Sequence, residues 1–250
     1  MIRIKTPQEI ERMKVAGEAV ATVLKEAKKC VVEGATARDI EDLALKIYRE
    51  YKVRPAFKGY GGYPYATCVS VNEEVIHGFP KKSKVFKKGD VVSIDTGAIY
   101  KGCYGDAAIT YAVGEVDELS RKLMEVTYNA LKKALEFIRE GVRIGDVGHI
   151  IQTYVEENGF NVVRDFVGHG VGCELHEEPQ VPNYGKPGTG VVLRKGMTLA
   201  IEPMVTAGTW KVKILRDGWT VVTADGKRAA HYEKSILVKE DGIEVLTPWE

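Results

Sequence analysis

The chain has 250 residues, of which 44% are hydrophobic and 28% are charged, and its formal net charge at pH 7 is +1. This is enough apolar material for one large core, and so balanced a charge excludes a general attraction to nucleic acid or membrane surfaces. No apolar run approaches the roughly 20 residues that span a bilayer, and no signal-peptide core follows the N-terminus. Four cysteines without paired spacing favour a reduced cytoplasmic compartment over a disulfide framework; they are Cys30, Cys68, Cys103 and Cys173.

The first half of the chain is predicted to form two helices followed by strands. Thr6-Pro7-Gln8-Glu9 has the sequence of a capped helix start, and apolar or small residues then recur at the spacing of a helix face until Gly34 ends the segment. Thr36 and Asp39 begin a second helix, which ends before Pro55. Strand-like runs follow at 67–71, 91–95 and 104–113.

The second half is predicted to follow the same order. One helix covers roughly 116–140, and another runs from Ile144 to Asn158, where Gly159 ends it. Asp217-Gly218 predicts a hairpin turn between two of the later strands. Strands are predicted at 163–167, 198–202, 212–215, 220–223 and 232–238.

An internal repeat relates the two halves at a constant shift of 107 residues. The matching segments are 33–40 with 140–147, 88–89 with 195–196, and 94–95 with 201–202. Each half therefore has the order helix, helix, antiparallel sheet. We expect an α+β fold in which two pseudo-symmetric halves, about 1–115 and 116–250, share one sheet. No linker separates them, so residues 1–250 are predicted to form a single domain.

Two aspartates are predicted to face each other across a hairpin. Asp95 ends the apolar run Val-Val-Ser-Ile-Asp, and a hairpin turning around Tyr100-Lys101 would place Asp106 directly opposite it, with Cβ atoms about 5 Å apart. At about 4 Å and an effective dielectric near 20, the repulsion between two such charges is about 4 kcal/mol. We therefore expect a cation between them.

Two glutamates of the second half are predicted to join this pair. Glu202 is the counterpart of Asp95 in the repeat, and Glu233 lies on a later strand. If the halves pair about a pseudo-two-fold axis, four carboxylates meet, and their charge matches two divalent cations. Any one of these residues alone is more often a turn former or a solvated charge, so the interpretation rests on the joint pattern.

Two histidine segments complete the predicted site. His169 lies in Val-Gly-His-Gly-Val-Gly, which we expect to be a glycine-rich turn at the end of a strand, and His176 lies in His-Glu-Glu-Pro. His149 is interpreted as structural, and His231 is expected to face away from Glu233 by the two-residue period of a strand. One histidine with four carboxylates suits a pair of Mn²⁺, Co²⁺, Fe²⁺ or Zn²⁺ ions rather than a thiolate zinc site.

The combined set resembles the metal ligands of the pita-bread aminopeptidases: Asp95, Asp106, Gly-His169-Gly-x-Gly, Ile-Glu202-Pro and Tyr-Glu233. Val-Asn72-Glu-Glu-Val-Ile-His77-Gly and His176-Glu-Glu-Pro-Gln-Val are more narrowly similar to type I methionine aminopeptidases. The matching unit begins almost at residue 1, and only 31 positions separate the two glutamates, so the chain resembles the minimal bacterial form. The resemblance implies the pita-bread fold, with two halves around a shared curved antiparallel sheet.

The resemblance also implies a role for each residue of the site. One metal would be held by Asp95 and the other by His169 and Glu202, with both bridged by Asp106 and Glu233. A water or hydroxide that bridges the metals would attack the scissile carbonyl, with Glu202 as the proton shuttle. His77 and His176 would contact the scissile amide and the tetrahedral intermediate, which requires such electrostatic stabilisation.

An apolar pocket for the methionine side chain is implied as well. Its residues would be Tyr60, Tyr63, Cys68 and Trp219, with Phe57 and Leu175 nearby. Two of these positions depart from the family, in which a cysteine often stands at 57 and an aromatic residue at 175. We therefore expect the shape of the pocket to differ there.

The implied activity is that of a metallo-exopeptidase, a methionyl aminopeptidase that removes methionine from nascent proteins when the second residue is small. The expected setting is the cytoplasm, as a monomer with transient ribosome contact and with no DNA or membrane partner. Two alternatives stay open. One is Xaa-Pro aminopeptidase or prolidase specificity on the same fold. The other is a non-catalytic peptide- or ribosome-binding relative, which would typically lack the metal ligands.

Overall fold

The computed structural model describes residues 2–250, so residue 1 of the predicted domain lies outside the described part. The helices are α1 (Pro7–Ala27), α2 (Ala37–Glu50), α3 (Glu118–Phe137) and α4 (Ile144–Glu157). The strands of the first half are β1 (Arg54–Pro55), β2 (Thr67–Val71), β3 (Glu74–Ile76), β4 (Val91–Tyr100) and β5 (Cys103–Ala112). Those of the second half are β6 (Asn161–Val162), β7 (Gly168–Gly170), β8 (Glu177–Val181), β9 (Thr198–Ile201), β10 (Met204–Thr206), β11 (Val212–Ile214), β12 (Val221–Thr223), β13 (Ala229–His231), β14 (Glu233–Lys239) and β15 (Gly242–Val245).

The predicted repeat is visible in the backbone. Helices α2 and α4 each have 14 residues, and their first residues are 107 positions apart. The loop before each helix makes the same hydrogen bond: the amide of Gly34 donates to Phe86 O, and the amide of Gly141 donates to Leu193 O, both at 2.9 Å. Equivalent residues of the two halves therefore build the same helix-starting loop.

One antiparallel sheet of nine strands is shared by the two halves. Its order is β1-β4-β5-β14-β9-β7-β8, with β2 also paired to β4 and β15 to β14. The halves join where Ala108 of β5 pairs with Glu233 of β14. Two smaller sheets have the orders β13-β10-β6 and β11-β12-β3. The predicted α+β architecture around a shared antiparallel sheet is confirmed.

Helix α1 covers one face of the large sheet, so polar side chains can stand on the other. It crosses β5 so closely that a Cβ at Gly105 would lie 2.6 Å from the amide nitrogen of Gly17. Ile109, on the same face of β5, packs into the main hydrophobic core. Asp106 and Ala108 alternate with these residues and therefore point to the opposite face.

Two predicted elements differ from the structure. The first helix ends at Ala27 rather than near Gly34, because the next three residues tighten into a 3₁₀ turn. The strand predicted at 163–167 is wrong, because the chain bends at 164–166 on its way from β6 to β7. No helix within residues 2–250 is long and apolar enough to cross a membrane.

Candidate metal centre and substrate pocket

Asp95 and Glu233 flank Ala108 across three adjacent strands. Asp95 of β4 pairs with Ala108 of β5, which pairs in turn with Glu233 of β14. Directly paired residues of antiparallel strands point to the same face, so both carboxylates stand on the face away from α1. Asp106 lies two residues from Ala108 along β5 and shares that face.

The predicted direct pairing of Asp95 with Asp106 is wrong by two residues. Asp106 pairs with Gly97, because the hairpin turns at Lys101 and Gly102, whose φ angles are 47° and 81°. Side chains alternate with a period of two, so a two-residue slip leaves both carboxylates on one face. The aspartates are diagonal neighbours rather than direct partners.

His169 and Glu202 bring the second half into the cluster. His169 pairs with Ala200 of β9, and Glu202 follows two residues later. The segment at His169 is not the expected turn but the short strand β7. Its glycines are required by close packing, because a Cβ at Gly170 would lie 2.4 Å from a backbone oxygen of β8.

The imidazole of His169 contacts two of the carboxylates. Its Nε2 lies 3.4 Å from Glu202 Oε1 and 3.8 Å from Asp106 Oδ2, while its Nδ1 lies 2.9 Å from Gly170 O. Donation to that carbonyl places the ring hydrogen on Nδ1 and leaves the Nε2 lone pair facing the carboxylates. Ligand atoms of Asp106, His169 and Glu233 all lie within 4.8 Å of one another.

The four carboxylates lie together without a counter-charge; Asp106, Glu202 and Glu233 are buried, and Asp95 is half-buried. Asp95 Oδ1, Asp106 Oδ1 and Glu233 Oε1 have no hydrogen-bond partner, and within residues 2–250 no lysine or arginine forms an ion pair with any of the four. Burial, together with the neighbouring carboxylates, raises the pKa of Asp95, Glu202 and Glu233 well above the usual range. Burial also raises the pKa of Asp106 to about 7. This donor set fits divalent cations, which would offset the repulsion.

His77 and His176 lie beside the carboxylate cluster. The His176 ring is 4.3 Å from the His169 ring, and its Nδ1 is 2.7 Å from the hydroxyl of Tyr60. His77 follows β3 in a left-handed conformation, with φ at 59°, and packs edge-on against Trp219. Burial lowers the pKa of both imidazoles, that of His77 to about 4, so both are neutral at pH 7.

A cavity of about 170 Å³ brings the predicted metal, catalytic and pocket residues together. Its size suits one side chain, since a cavity of roughly 150 Å³ holds a benzene molecule. The lining also includes three residues that were not predicted, Ile76, Phe166 and Val167. The only sequence signal for them is that each lies next to a predicted residue or within three positions of one. The predicted residues in its lining are Phe57, Tyr60, Tyr63, Cys68, His77, Asp95, Asp106, His169, Leu175, His176, Glu202, Trp219 and Glu233.

One end of this cavity is apolar and the other opens to a groove. Phe57, Tyr63, Cys68 and Leu175 pack together as one cluster of buried residues. Burial and the nearby Asp95 raise the pKa of Cys68, so its thiol is neutral at pH 7. A wider groove of about 650 Å³ shares His169 and His176 with the cavity and continues past acidic side chains.

The expectation that His231 faces away from the site is wrong. The chain ends β13 at His231 and begins β14 at Glu233, so the two residues belong to different sheets and the strand period does not connect them. His231 is buried, and its Nε2 lies 3.7 Å from Glu202 Oε2. No local pattern in the sequence signals this change of sheet. His149 lies on α4 with its side chain exposed.

Comparison with known proteins shows where the chain belongs. The model of metallopeptidase family M24 matches residues 11–240. The chain belongs to this family. A methionine aminopeptidase of Clostridium acetobutylicum is 50% identical over 247 residues, with 99% of each chain covered. The crystal structure of methionine aminopeptidase from Thermotoga maritima is 64% identical, with a TM-score of 0.98 and 99% of each chain covered.

Other branches of family M24 are more distant. The prolidase of Pyrococcus horikoshii OT3 is 26% identical with a TM-score of 0.80, and this chain covers 64% of it. Within M24 the chain therefore groups with the methionine aminopeptidases. The predicted pita-bread fold and the predicted class of metal-dependent hydrolase are confirmed.

Proposed function

We propose that the chain hydrolyses the first peptide bond of nascent polypeptides and releases the N-terminal methionine when the second residue is small. One observation carries this proposal: a single cavity of about 170 Å³ joins the carboxylate–histidine cluster to an apolar pocket. A cavity of that size has room for one residue beyond the reacting carbonyl. Cleavage is therefore restricted to the first bond of the chain.

Two divalent cations are the proposed cofactors. Asp95 would hold one and His169 with Glu202 the other, while Asp106 and Glu233 would serve both. This oxygen-rich set suits Mn²⁺, Co²⁺, Fe²⁺ or Zn²⁺. When bound, such ions supply a Lewis acid for the scissile carbonyl and lower the pKa of water.

The protein's own groups move the protons and bind the reacting amide. Glu202 takes a proton from the attacking water and delivers it to the leaving amine. The neutral imidazoles of His77 and His176 donate hydrogen bonds to the amide and to the oxyanion that develops on it. The hydroxyl of Tyr60 bonds to Nδ1 of His176, which leaves the ring hydrogen on Nε2 for this purpose.

The methionine side chain would occupy the apolar end of the cavity. Phe57, Tyr63, Cys68 and Leu175 enclose that end, and the more exposed Tyr60 and Trp219 border it. The adjoining groove of about 650 Å³ would receive the residues that follow the scissile bond. The substrate would then enter the site by its N-terminus.

The proposed setting is the cytoplasm, where the chain would act as one monomeric catalytic domain. Its partners would be the N-termini of nascent polypeptides, with transient ribosome contact and without DNA or membrane. The net charge of +1 and the four free cysteines support this setting.

A reconstitution assay tests the proposed reaction. We expect protein stripped of metal to release methionine from Met-Gly and Met-Ala peptides after addition of Mn²⁺ or Co²⁺, and to leave Ala-Pro peptides intact. The Asp106→Asn variant is the matched control, because it keeps the shape of the ligand and removes its charge. Preference for Ala-Pro peptides would favour the Xaa-Pro alternative. Calorimetry that detects no metal site would favour a non-catalytic role.

A further inference from the structure

The Glu202 carboxylate lies between two imidazoles. Its Oε1 is 3.4 Å from His169 Nε2, on the side of the metal cluster, and its Oε2 is 3.7 Å from His231 Nε2. His231 does not line the substrate cavity, whereas Glu202 does. His231 therefore stands behind Glu202, where burial lowers its pKa, and it is also near enough to His77 for that imidazole to lower its pKa further.

The backbone around His231 is fixed by a buried hydroxyl pair. The amide of His231 donates to Thr110 Oγ1 at 3.0 Å, and the same hydroxyl donates to His231 O at 2.6 Å. Ser93 Oγ lies 2.8 Å from Thr110 Oγ1 and supplies the remaining hydrogen. Both backbone groups of His231 are thus bound to one side chain of β5, which fixes the point from which the imidazole extends.

The Nε2 atom of His231 is buried and has no hydrogen-bond partner among residues 2–250. Buried polar atoms are normally hydrogen-bonded, and leaving one unpaired is unfavourable. In the described part of the chain, the acidic oxygen within 4 Å of this nitrogen is Glu202 Oε2, at 3.7 Å. A shift of about 0.8 Å would bring the two atoms to ordinary hydrogen-bond distance. An apolar residue would fill the same space without this cost, so the nitrogen indicates a role.

We propose that His231 is a positioning residue for Glu202: its Nε2–H donates to Oε2 and holds the carboxylate with Oε1 turned toward His169 and the metal cluster. Carboxylates that bind metals are commonly fixed by such outer hydrogen bonds, whose loss weakens metal binding. The inference rests on the proposed function, in which Glu202 both binds a metal and carries a proton. Oε2 then accepts a hydrogen bond from His231, and Oε1 is left to bind the metal and carry the proton.

Two substitutions separate this role from simple packing. His231→Gln keeps an N–H donor of similar reach, whereas His231→Leu keeps the bulk and removes the donor. We expect His231→Leu to lower Mn²⁺ affinity, measured by calorimetry, by about 10- to 100-fold, and to lower kcat more than it raises KM on a Met-Ala peptide. His231→Gln should retain most of the Mn²⁺ affinity and most of the wild-type kcat. His149→Leu, on the exposed side of α4, should match the wild type.

A measurement on the wild-type protein gives an independent readout. The ¹⁵N spectrum of the imidazoles, with His231 assigned by its absence in His231→Gln, should show the hydrogen on Nε2. A hydrogen on Nδ1, or wild-type Mn²⁺ affinity in His231→Leu, would overturn the proposal. If His231→Leu does not fold, His231→Asn replaces it, because its amide is too short to reach Glu202. Should the wild type bind Mn²⁺ but release no methionine, the proposed function fails while the calorimetric comparison still decides the role of His231.

Discussion

Asp106 faces Gly97 across the β4–β5 hairpin, and Asp95 faces Ala108. Each aspartate is therefore opposite a residue with at most one methyl group, and the two carboxylates are set diagonally. Diagonal neighbours lie roughly 7–8 Å apart, whereas direct partners have Cβ atoms about 5 Å apart. The hairpin register thus opens space between the carboxylates, and small residues keep that space free for cations.

The first prediction concerns the methyl group of Ala108. Ala108→Val adds two carbons between Asp95 and Glu233 at a position that is fully buried. Overpacking of this kind typically costs about 1–3 kcal/mol, and we expect Mn²⁺ affinity measured by calorimetry to fall by at least about tenfold. Ala112→Val, on the same face at the end of β5, is the control and should bind Mn²⁺ normally. Unchanged affinity in Ala108→Val would show that the methyl does not set the width of the site.

The pH dependence of the metal-free protein follows from Asp106. Its pKa is raised from 3.8 to about 7 by burial, so its protonated form is favoured in the folded state. The resulting contribution to stability is complete below about pH 4 and is lost as the pH rises through 7. Buried histidines such as His77, with a pKa near 4, contribute the opposite slope. The informative quantity is therefore the difference in unfolding free energy between wild type and Asp106→Asn at each pH.

Thermal unfolding in a chelator measures that difference. As the pH rises from 4 to 7, we expect the stability of Asp106→Asn relative to wild type to increase by at least about 1 kcal/mol, or about 2–4 °C in Tm. Excess Mn²⁺ should reverse the order, since the variant lacks one ligand charge. Parallel curves for the two proteins in chelator would contradict the raised pKa.

The repeat explains why so much of the site could be predicted from sequence. The shift of 107 residues made Glu202 the counterpart of Asp95, and both lie in the cluster. The starts of the helices could also be predicted, because a capping box is a local pattern. In the first helix, the Glu9 carboxylate accepts a hydrogen bond from the Thr6 amide at 2.8 Å. Such patterns depend on neighbours in the chain and need no knowledge of the tertiary fold.

Two wrong predictions show which features of the structure sequence patterns do not determine. Alternation determines the face on which Asp106 stands but not its partner, because a slip of two residues keeps every side chain on its face. The pairing with Gly97 depends on a turn at Lys101, a non-glycine residue with positive φ. The expected orientation of the His231 side chain is wrong because a strand period holds only within one strand, and the chain changes sheets before Glu233.

The hydrogen bond between Tyr60 and His176 gives a prediction about catalysis. Tyr60→Phe removes the 2.7 Å contact to Nδ1 and frees the ring to take the other tautomer. A hydrogen bond contributes about 0.5–1.5 kcal/mol, so kcat on a Met-Ala peptide should fall about two- to tenfold. Tyr60 is 45% exposed, and Tm should stay within about 1 °C. Tyr184→Phe, also exposed, is the control; an equal loss of kcat there would contradict a specific role.

Leu175 tests the assignment of the apolar pocket to the methionine side chain. It is 2% exposed and packs with Phe57 and Cys68 at the closed end of the cavity. Leu175→Ala removes apolar contact with the substrate, and kcat/KM for a Met-Ala peptide should fall about 10- to 200-fold. The enlarged pocket should also raise the relative rate on a Phe-Ala peptide. Leu119→Ala, on the exposed side of α3 at 56% exposure, controls for loss of a leucine elsewhere. If Leu175→Ala keeps the wild-type preference for methionine, the side chain binds somewhere other than this pocket.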